Sequence, residues 1–163
     1  MPVIELSSLH KTAALKVINA AAGAHKGVIP PDRWTEPYMS AKEFADEINS
    51  GVRLYGWMRD DALLGIAGIQ HFSDVDLIRH CYVSTAFQRQ GVGSALLVYL
   101  LSIAQASEVL VGTWEDATWA IRFYKRHGFE LVSPEEKDRL LGKYWDIPRR
   151  QIETSVVLRD KKQ

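Results

Sequence analysis

The stretch Gln88-Arg89-Gln90-Gly91-Val92-Gly93 separates an apolar segment typical of a strand, residues 77–83, from one typical of a helix, residues 94–106. The helical segment places apolar side chains at helical spacing, at Leu96, Leu97, Leu100, Leu101 and Ala104. Two glycines let the backbone turn tightly and approach a ligand, while the free N–H groups of the new helix favour an anion. The stretch therefore predicts a phosphate-binding turn.

The pattern differs from the two commonest nucleotide-binding turns. A dinucleotide fingerprint has a third glycine where Leu96 stands, and a P-loop requires a Gly-Lys-Ser/Thr sequence that this stretch lacks. The remaining pattern, Gln-x-x-Gly-x-Gly, resembles the loop that binds the acetyl-coenzyme A pyrophosphate in the GNAT acetyltransferase superfamily. A glycine turn that only caps a buried helix is the alternative interpretation.

A second motif of the same superfamily follows at residues 120–129, Ala-Ile-Arg-Phe-Tyr-Lys-Arg-His-Gly-Phe. It resembles the helix that carries a Phe-Tyr pair, here Phe123-Tyr124, and ends at Gly-Phe before a strand. Three basic side chains suit a helix C-terminus, and Gly128 suits its left-handed cap. Two motifs at this separation are much more specific than either motif alone.

The remaining segments predict the rest of such a domain. Residues 52–58 and 62–71 read as a hairpin around a tight turn, and residues 76–83 as the next strand. The other predicted elements are a strand at 3–6, a helix ending near Ala22, a helix opened by a capping box at Ser40, a strand at 108–114, a helix at 133–142 and a strand at 151–159. The resemblance implies a mixed α/β fold with a mostly antiparallel, splayed sheet of about seven strands and four to five helices, as a single domain over residues 1–163.

The composition is consistent with one domain and argues against two classes of partner, nucleic acids and membranes. The chain has 163 residues, 47% of them hydrophobic, so it can bury a core without disulfides. Its 20 basic and 20 acidic residues balance, and this argues against a nucleic-acid partner. One cysteine, no signal peptide and no long apolar run predict a cytoplasmic protein without a membrane partner.

The resemblance assigns acetyl-coenzyme A as the co-substrate and implies no metal. It also implies that the backbone of the strand before the turn pairs with the pantetheine amides. The resulting co-substrate site consists of Cys81, Tyr82, Val83, Gln88, Arg89, Gln90, Gly91, Val92, Gly93, Ser94, Thr118 and Phe123. Where the family often has asparagine, at the start of the tyrosine helix, this chain has Ala117.

Family members transfer the acetyl group directly to an amine, and the resemblance makes Tyr124 the general acid. The base is open: some members have glutamate or histidine at positions that match Leu77 and Arg79 here. His80 is the candidate because its ordinary pKa is near neutrality, and a histidine packed into the sheet is the alternative. Strand alternation predicts that Arg79 and Cys81 face away from His80, and Cys81 is interpreted as a small buried residue.

Two loops are expected to form the pocket for the amine acceptor, residues 30–39 and 141–150. The candidates in them are Trp34, Glu36, Tyr38 and Trp145, because aromatic faces and a carboxylate can attract a cationic amine. Core or homodimer contacts are the alternative role for these aromatic residues. The predicted function is N-acetyl transfer to a small-molecule or peptide amine; the alternative is a non-catalytic acyl-coenzyme A sensing module.

Overall fold

The computed structural model describes residues 3–161, so the first two and last two residues of the predicted domain lie outside it. The strands are β1 Val3–Glu5, β2 Val52–Arg59, β3 Ala62–His71, β4 Val75–Val83, β5 Glu108–Trp114, β6 Glu130–Leu131 and β7 Ser155–Lys161. The α-helices are α1 Lys11–Ala22, α2 Ala41–Asn49, α3 Val92–Ile103, α4 Thr118–Arg126, α5 Pro134–Tyr144 and α6 Arg149–Glu153. These six helices in the described residues exceed the four to five expected.

All seven strands belong to one open sheet, in the order β1-β2-β3-β4-β5-β7-β6. Every neighbouring pair is antiparallel except β4 and β5, which run parallel. Pairing between β4 and β5 extends only from Val75 opposite Glu108 to Ile78 opposite Val111, although both strands continue beyond it. The sheet is therefore splayed between these two strands, which confirms the expected architecture.

Helices cover both faces of the sheet because its strands are apolar on both sides. On one face α3 and α4 pack on the sheet through Leu96, Leu97, Leu100 and Tyr124. On the other face α1 and α2 pack through Ala14, Ile18 and Phe44, and α5 packs through Leu140 and Leu141. Tyr124 of α4 and the helix α2 consequently lie on opposite faces of the sheet.

The C-terminal segment corrects one prediction. Residues 149–153, partly assigned to a strand at 151–159, form the short helix α6, and β7 begins at Ser155. Hydrogen bonds fix this helix: Lys137 Nζ donates to the Ile152 carbonyl at 2.8 Å, and Ser155 Oγ donates to the Gln151 carbonyl at 2.6 Å. Contacts with other parts of the fold, rather than the sequence pattern, determine the conformation of this segment.

Asp76 links β4 to the loop after α3, and its removal should destabilise the fold strongly. The side chain is fully buried, and Oδ2 accepts hydrogen bonds from the N–H groups of Gln105 at 2.6 Å and Ala106 at 2.9 Å. An Asp76→Ala variant leaves both donors unpaired, so we expect a loss of about 3 kcal/mol in the free energy of unfolding. Urea unfolding of the variant and of the wild type measures this loss in the free energy of unfolding. The matched Asp74→Ala variant removes an exposed carboxylate and should lose far less; equal losses would contradict the assignment.

Candidate active site

A cleft of about 690 Å³ opens where β4 and β5 separate. Its walls come from residues 78–83 of β4 and 111–114 of β5, from the glycine turn and from α4. The end of α1, Tyr38 in the first acceptor loop, and residues of the second acceptor loop complete it. The splay therefore connects the two faces of the sheet and is open at the glycine turn.

The glycine turn has the backbone geometry that its sequence predicts. Gly91 is the N-cap of α3 with φ +84°, a left-handed conformation that favours glycine. A Cβ atom placed on Gly91 would meet no protein atom within 4 Å, so its backbone faces open space. Gln88 Nε2 donates to the Val83 carbonyl at 3.2 Å and fastens the turn to β4. Free N–H groups of the α3 N-terminus can therefore reach a ligand in the cleft.

Basic side chains surround the turn. Arg89 and Arg126 both line the cleft. Ser94 Oγ lies 3.0 Å from His127 Nε2, and burial, together with the charge of Arg126, lowers the pKa of His127. Helix N–H groups with two guanidinium groups form a site suited to a pyrophosphate.

The structure brings most of the predicted co-substrate residues to this cleft. The lining includes Cys81, Tyr82, Val83, Gln88, Arg89, Gly91, Val92, Gly93, Ser94 and Phe123. Gln90 and Thr118 lie outside the lining. Because β4 and β5 no longer pair at Tyr82 and Val83, the β5-facing edge of these two residues is open to the cleft.

Tyr124 and Cys81 lie together on the α3 and α4 face of the cleft. Burial raises the pKa of Tyr124 well above its ordinary value, and interaction with Cys81 raises it further. Burial also raises the pKa of the Cys81 thiol to about 11. Both groups are therefore protonated at neutral pH.

A bulge in β4 changes the direction of the side chains at Arg79 and His80. His80 has φ +57°, and the pairing of β3 with β4 shifts register between Ile66 and Gly68. Arg79 and His80 consequently face the same helix, α2, which corrects the alternation predicted for them. A bulge is the usual device for redirecting a side chain next to an active site.

Both side chains contact Glu47 of α2, a residue without a predicted role. Glu47 Oε1 lies 3.2 Å from Arg79 Nη2 and 3.3 Å from His80 Nε2. The His80 contact is an ion-pair distance without the alignment of a hydrogen bond. Burial raises the pKa of Glu47, but the contacts with His80 and Arg79 outweigh it and leave the pKa below its ordinary value. The sequence carries no signal for this contact because 32 residues separate Glu47 from Arg79.

His25 is a second residue that the sequence did not indicate. It lines the cleft, and its ring lies 5.2 Å from the Trp119 ring and 6.3 Å from the Tyr82 ring, centroid to centroid. Burial lowers the pKa of His25. An uncharged imidazole therefore forms part of the aromatic wall at neutral pH.

The four predicted acceptor residues divide into two pairs. Tyr38 and Trp145 line the cleft. Trp34 and Glu36 lie outside its lining, where Trp34 Nε1 donates to Glu36 Oε1 at 3.0 Å and Trp34 packs on Tyr38. The structure thus brings two of the three predicted aromatic residues to the cleft, without the third and without the carboxylate.

A model of the acetyltransferase (GNAT) family matches residues 23–129, more than half of the chain. The chain belongs to this family. The matched region contains the glycine turn and the Phe123-Tyr124 helix through Phe129. No curated protein shows a significant match to the sequence.

Solved GNAT structures share the fold. The chain is similar to the PaiA N-acetyltransferase of Thermoplasma acidophilum in complex with coenzyme A, at 16% identity and TM-score 0.74 over 98% of this chain and 97% of that one. It is similar to the ribosomal-protein-S18-alanine N-acetyltransferase of Escherichia coli, at 17% identity and TM-score 0.71 over 98% and 92%. It also resembles N-acetylglutamate synthase of Neisseria gonorrhoeae, complexed with coenzyme A and N-acetylglutamate, at 16% identity and TM-score 0.67 over 99% and 35%.

Among residues 3–161, no helix is both long enough and apolar enough to span a bilayer. Cytoplasmic location and homodimer formation stay predictions.

Proposed function

We propose that this GNAT protein is an acetyl-coenzyme A-dependent N-acetyltransferase that transfers the acetyl group directly to an amine of a small molecule or peptide. One observation carries the proposal: the splay joins a basic glycine turn to a cleft with Tyr124 on one face and His80 on the other. Family membership supports it, as do two solved relatives that hold coenzyme A.

The cleft fits acetyl-coenzyme A. The N–H groups at the start of α3, with Arg89 and Arg126, would hold the pyrophosphate, and the open backbone edge at Tyr82 and Val83 would pair with the pantetheine amides. When bound, acetyl-coenzyme A supplies an acetyl group activated as a thioester. The rest of the chemistry depends on the side chains of the protein.

Tyr124 suits the role of general acid. It is held protonated by burial and lies beside Cys81, on the same face as the glycine turn helix. A departing thiolate has an ordinary pKa near 8.5, so a nearby phenol hydroxyl can stabilise it by donating a hydrogen bond or a proton.

His80 suits the role of general base, with Glu47 as its positioning residue. An alkylamine has an ordinary pKa near 10.4, so an amine acceptor must lose a proton before it can attack. His80 lines the cleft on the α2 face, opposite Tyr124, and the Glu47 carboxylate, 3.3 Å from His80 Nε2, can hold the imidazole in this position. Acid and base on opposite faces suit a reaction in which the amine enters from one side and the thiol leaves on the other.

Cys81 argues for direct transfer over a covalent acyl-enzyme. The thiolate is the nucleophilic form of cysteine, and a thiol with a pKa of about 11 is almost entirely protonated at neutral pH. His80 contacts Glu47 on the α2 face and Cys81 packs into the core on the α3 and α4 face, so His80 is not placed to deprotonate Cys81.

A thiol-release assay tests the proposal. Purified protein is mixed with acetyl-coenzyme A and a panel of primary amines, and free coenzyme A and acetylated amine are both measured. We expect thiol release that depends on the amine. Tight binding of acetyl-coenzyme A without amine-dependent release from any acceptor would contradict it and support the sensing module instead.

Glu47 and His80 should act as a coupled pair in turnover. We expect His80→Gln to lower kcat about 100-fold and Glu47→Gln to lower it about 10-fold, with acetyl-coenzyme A affinity unchanged. Because Glu47 acts through His80, adding Glu47→Gln to His80→Gln should cause little further loss. Asp46→Asn, on the exposed side of the same helix, is the matched control and should behave as wild type. Independent, additive losses would contradict the positioning role.

A further inference from the structure

The acidic residues of the two acceptor loops are directed away from the cleft. Glu36 Oε1 lies 3.1 Å from Lys26 Nζ, and the side chain is 64% exposed. Asp146 is exposed, whereas its neighbours Trp145 and Ile147 both line the cleft. Glu36, the carboxylate expected to attract a cationic acceptor, is therefore already paired, and Asp146 is placed in solvent.

The formally charged side chains that line the cleft, within residues 3–161, are all basic. They are Arg79, Arg89 and Arg126. Arg89 and Arg126 lie near the glycine turn, while Arg79 lies on the acceptor face beside His80 and Glu47. Glu47 is already paired with Arg79 and lies outside the lining, so a second ammonium group on the acceptor would be partly desolvated there with no carboxylate to pair with it.

The acceptor half of the cleft offers aromatic and apolar surface instead. The Tyr38 and Tyr82 rings meet edge to face with centroids 6.4 Å apart. The Trp145 indole lies against Gly112 of β5, so close that a Cβ atom on Gly112 would be 3.4 Å from it. Such surfaces bind the hydrocarbon part of a ligand by excluding water.

The two acceptor loops also meet each other. Arg150 Nε lies 3.3 Å from Asp32 Oδ2, which joins α6 to the first loop across 118 residues of sequence. An exposed ion pair of this kind contributes little stability. It does show that the two loops contact each other outside the lining of the cleft.

We infer that the acceptor is a small primary amine with an apolar or aromatic body and no second positive charge. The inference rests on the proposed function and specifies its acceptor. A C–N bond forms as the C–S bond breaks, so an amide and a free thiol are the products and no other reactant is needed. The proton lost by the amine passes to His80 and from there to solvent, while Tyr124 protonates the thiolate and regains a proton from solvent, so both residues return to their starting state.

A matched pair of amines tests the inference. Pentylamine and 1,4-diaminobutane have the same number of heavy atoms and differ at one end, where a methyl group replaces an ammonium group. Wild-type protein is assayed with each amine at saturating acetyl-coenzyme A, following acetylated product by mass spectrometry. We expect kcat/KM for pentylamine to exceed that for 1,4-diaminobutane by at least about 10-fold.

A nearly isosteric variant checks that cleft charge causes the preference. Gln151 lines the acceptor half, so Gln151→Glu introduces a carboxylate with little change in shape. We expect this variant to shift the ratio of the two kcat/KM values about 10-fold toward 1,4-diaminobutane. Val98→Glu adds the same charge to an exposed position of α3 and should leave the ratio unchanged.

The outcomes distinguish a failure of the inferred acceptor class from a failure of the proposed acetyltransferase function. Equal or faster acetylation of 1,4-diaminobutane by wild type overturns the inference and leaves the acetyltransferase function intact. An unchanged ratio in Gln151→Glu also overturns it. Acetyl-coenzyme A binding without acetylation of any amine overturns both.

Discussion

Tyr124→Phe is expected to reduce kcat about 1,000-fold, a loss typical of removing a general acid. The substitution deletes one hydroxyl group and keeps the ring that packs on Phe123 and Phe129. Since the phosphate-binding groups are proposed to lie at the glycine turn, the affinity for acetyl-coenzyme A should stay near that of wild type. The predicted effect is therefore confined to the chemical step.

Thiol release under saturating substrates and calorimetric titration with acetyl-coenzyme A measure the two quantities separately. Tyr99→Phe provides a matched control, because Tyr99 is a half-buried tyrosine of α3 that packs on Tyr55 in the same core cluster. This control should keep wild-type turnover. Normal turnover by Tyr124→Phe would remove Tyr124 from the acid role.

Gly91→Glu is expected to weaken acetyl-coenzyme A binding about 1,000-fold, as a negative charge about 4 Å from a phosphate costs roughly 4 kcal/mol at an effective dielectric of 20. The new side chain would start from a backbone that faces open space at the N-terminus of α3, where the phosphates are proposed to bind. The left-handed φ of Gly91 adds strain for any residue with a Cβ atom.

Gly91→Asn separates charge from backbone strain. Asparagine tolerates the left-handed region better than most residues, is favoured at helix N-caps and is neutral. Calorimetry should find that Gly91→Asn retains most of the affinity, while circular dichroism should show both variants folded. Wild-type affinity in folded Gly91→Glu would place the phosphate site elsewhere.

The sequence predicted the framework of the site well, because local patterns determine it. The strand at 108–114 and the capping box between Ser40 and Glu43 both stand where they were expected. The glycine turn was predictable because Gly91 meets a backbone requirement that few other residues satisfy. Each of these features depends on residues close together in the chain.

The acceptor side was less predictable, because contacts between distant segments form it. Strand alternation cannot anticipate the bulge at His80, so the meeting of His80 and Arg79 at Glu47 could not be seen. Helix α6 has only five residues and no side-chain cap of its own. Its conformation depends on hydrogen bonds from α5 and β7, which a local pattern does not encode.

The predicted acceptor pocket, with three aromatic residues and one carboxylate, illustrates the same limit. Composition placed Glu36 in an acceptor loop, but the fold pairs it with Lys26 and Trp34 outside the cleft lining. Tyr38 and Trp145 do reach the cleft, from loops that lie more than 100 residues apart. Which side chain of a loop faces a cavity depends on the packing of both loops.

A single-turnover experiment tests the central claim most directly. Excess protein is mixed with acetyl-coenzyme A and pentylamine, and the reaction is quenched at intervals. Mass spectrometry then measures the masses of the intact protein, the coenzyme A species and the amine species. Direct transfer in this cleft predicts that acetylated amine and free coenzyme A appear together in equal amounts, with the protein never acetylated. Acetylation of Cys81 before product appears, or acetyl-coenzyme A that stays bound and intact, would contradict it.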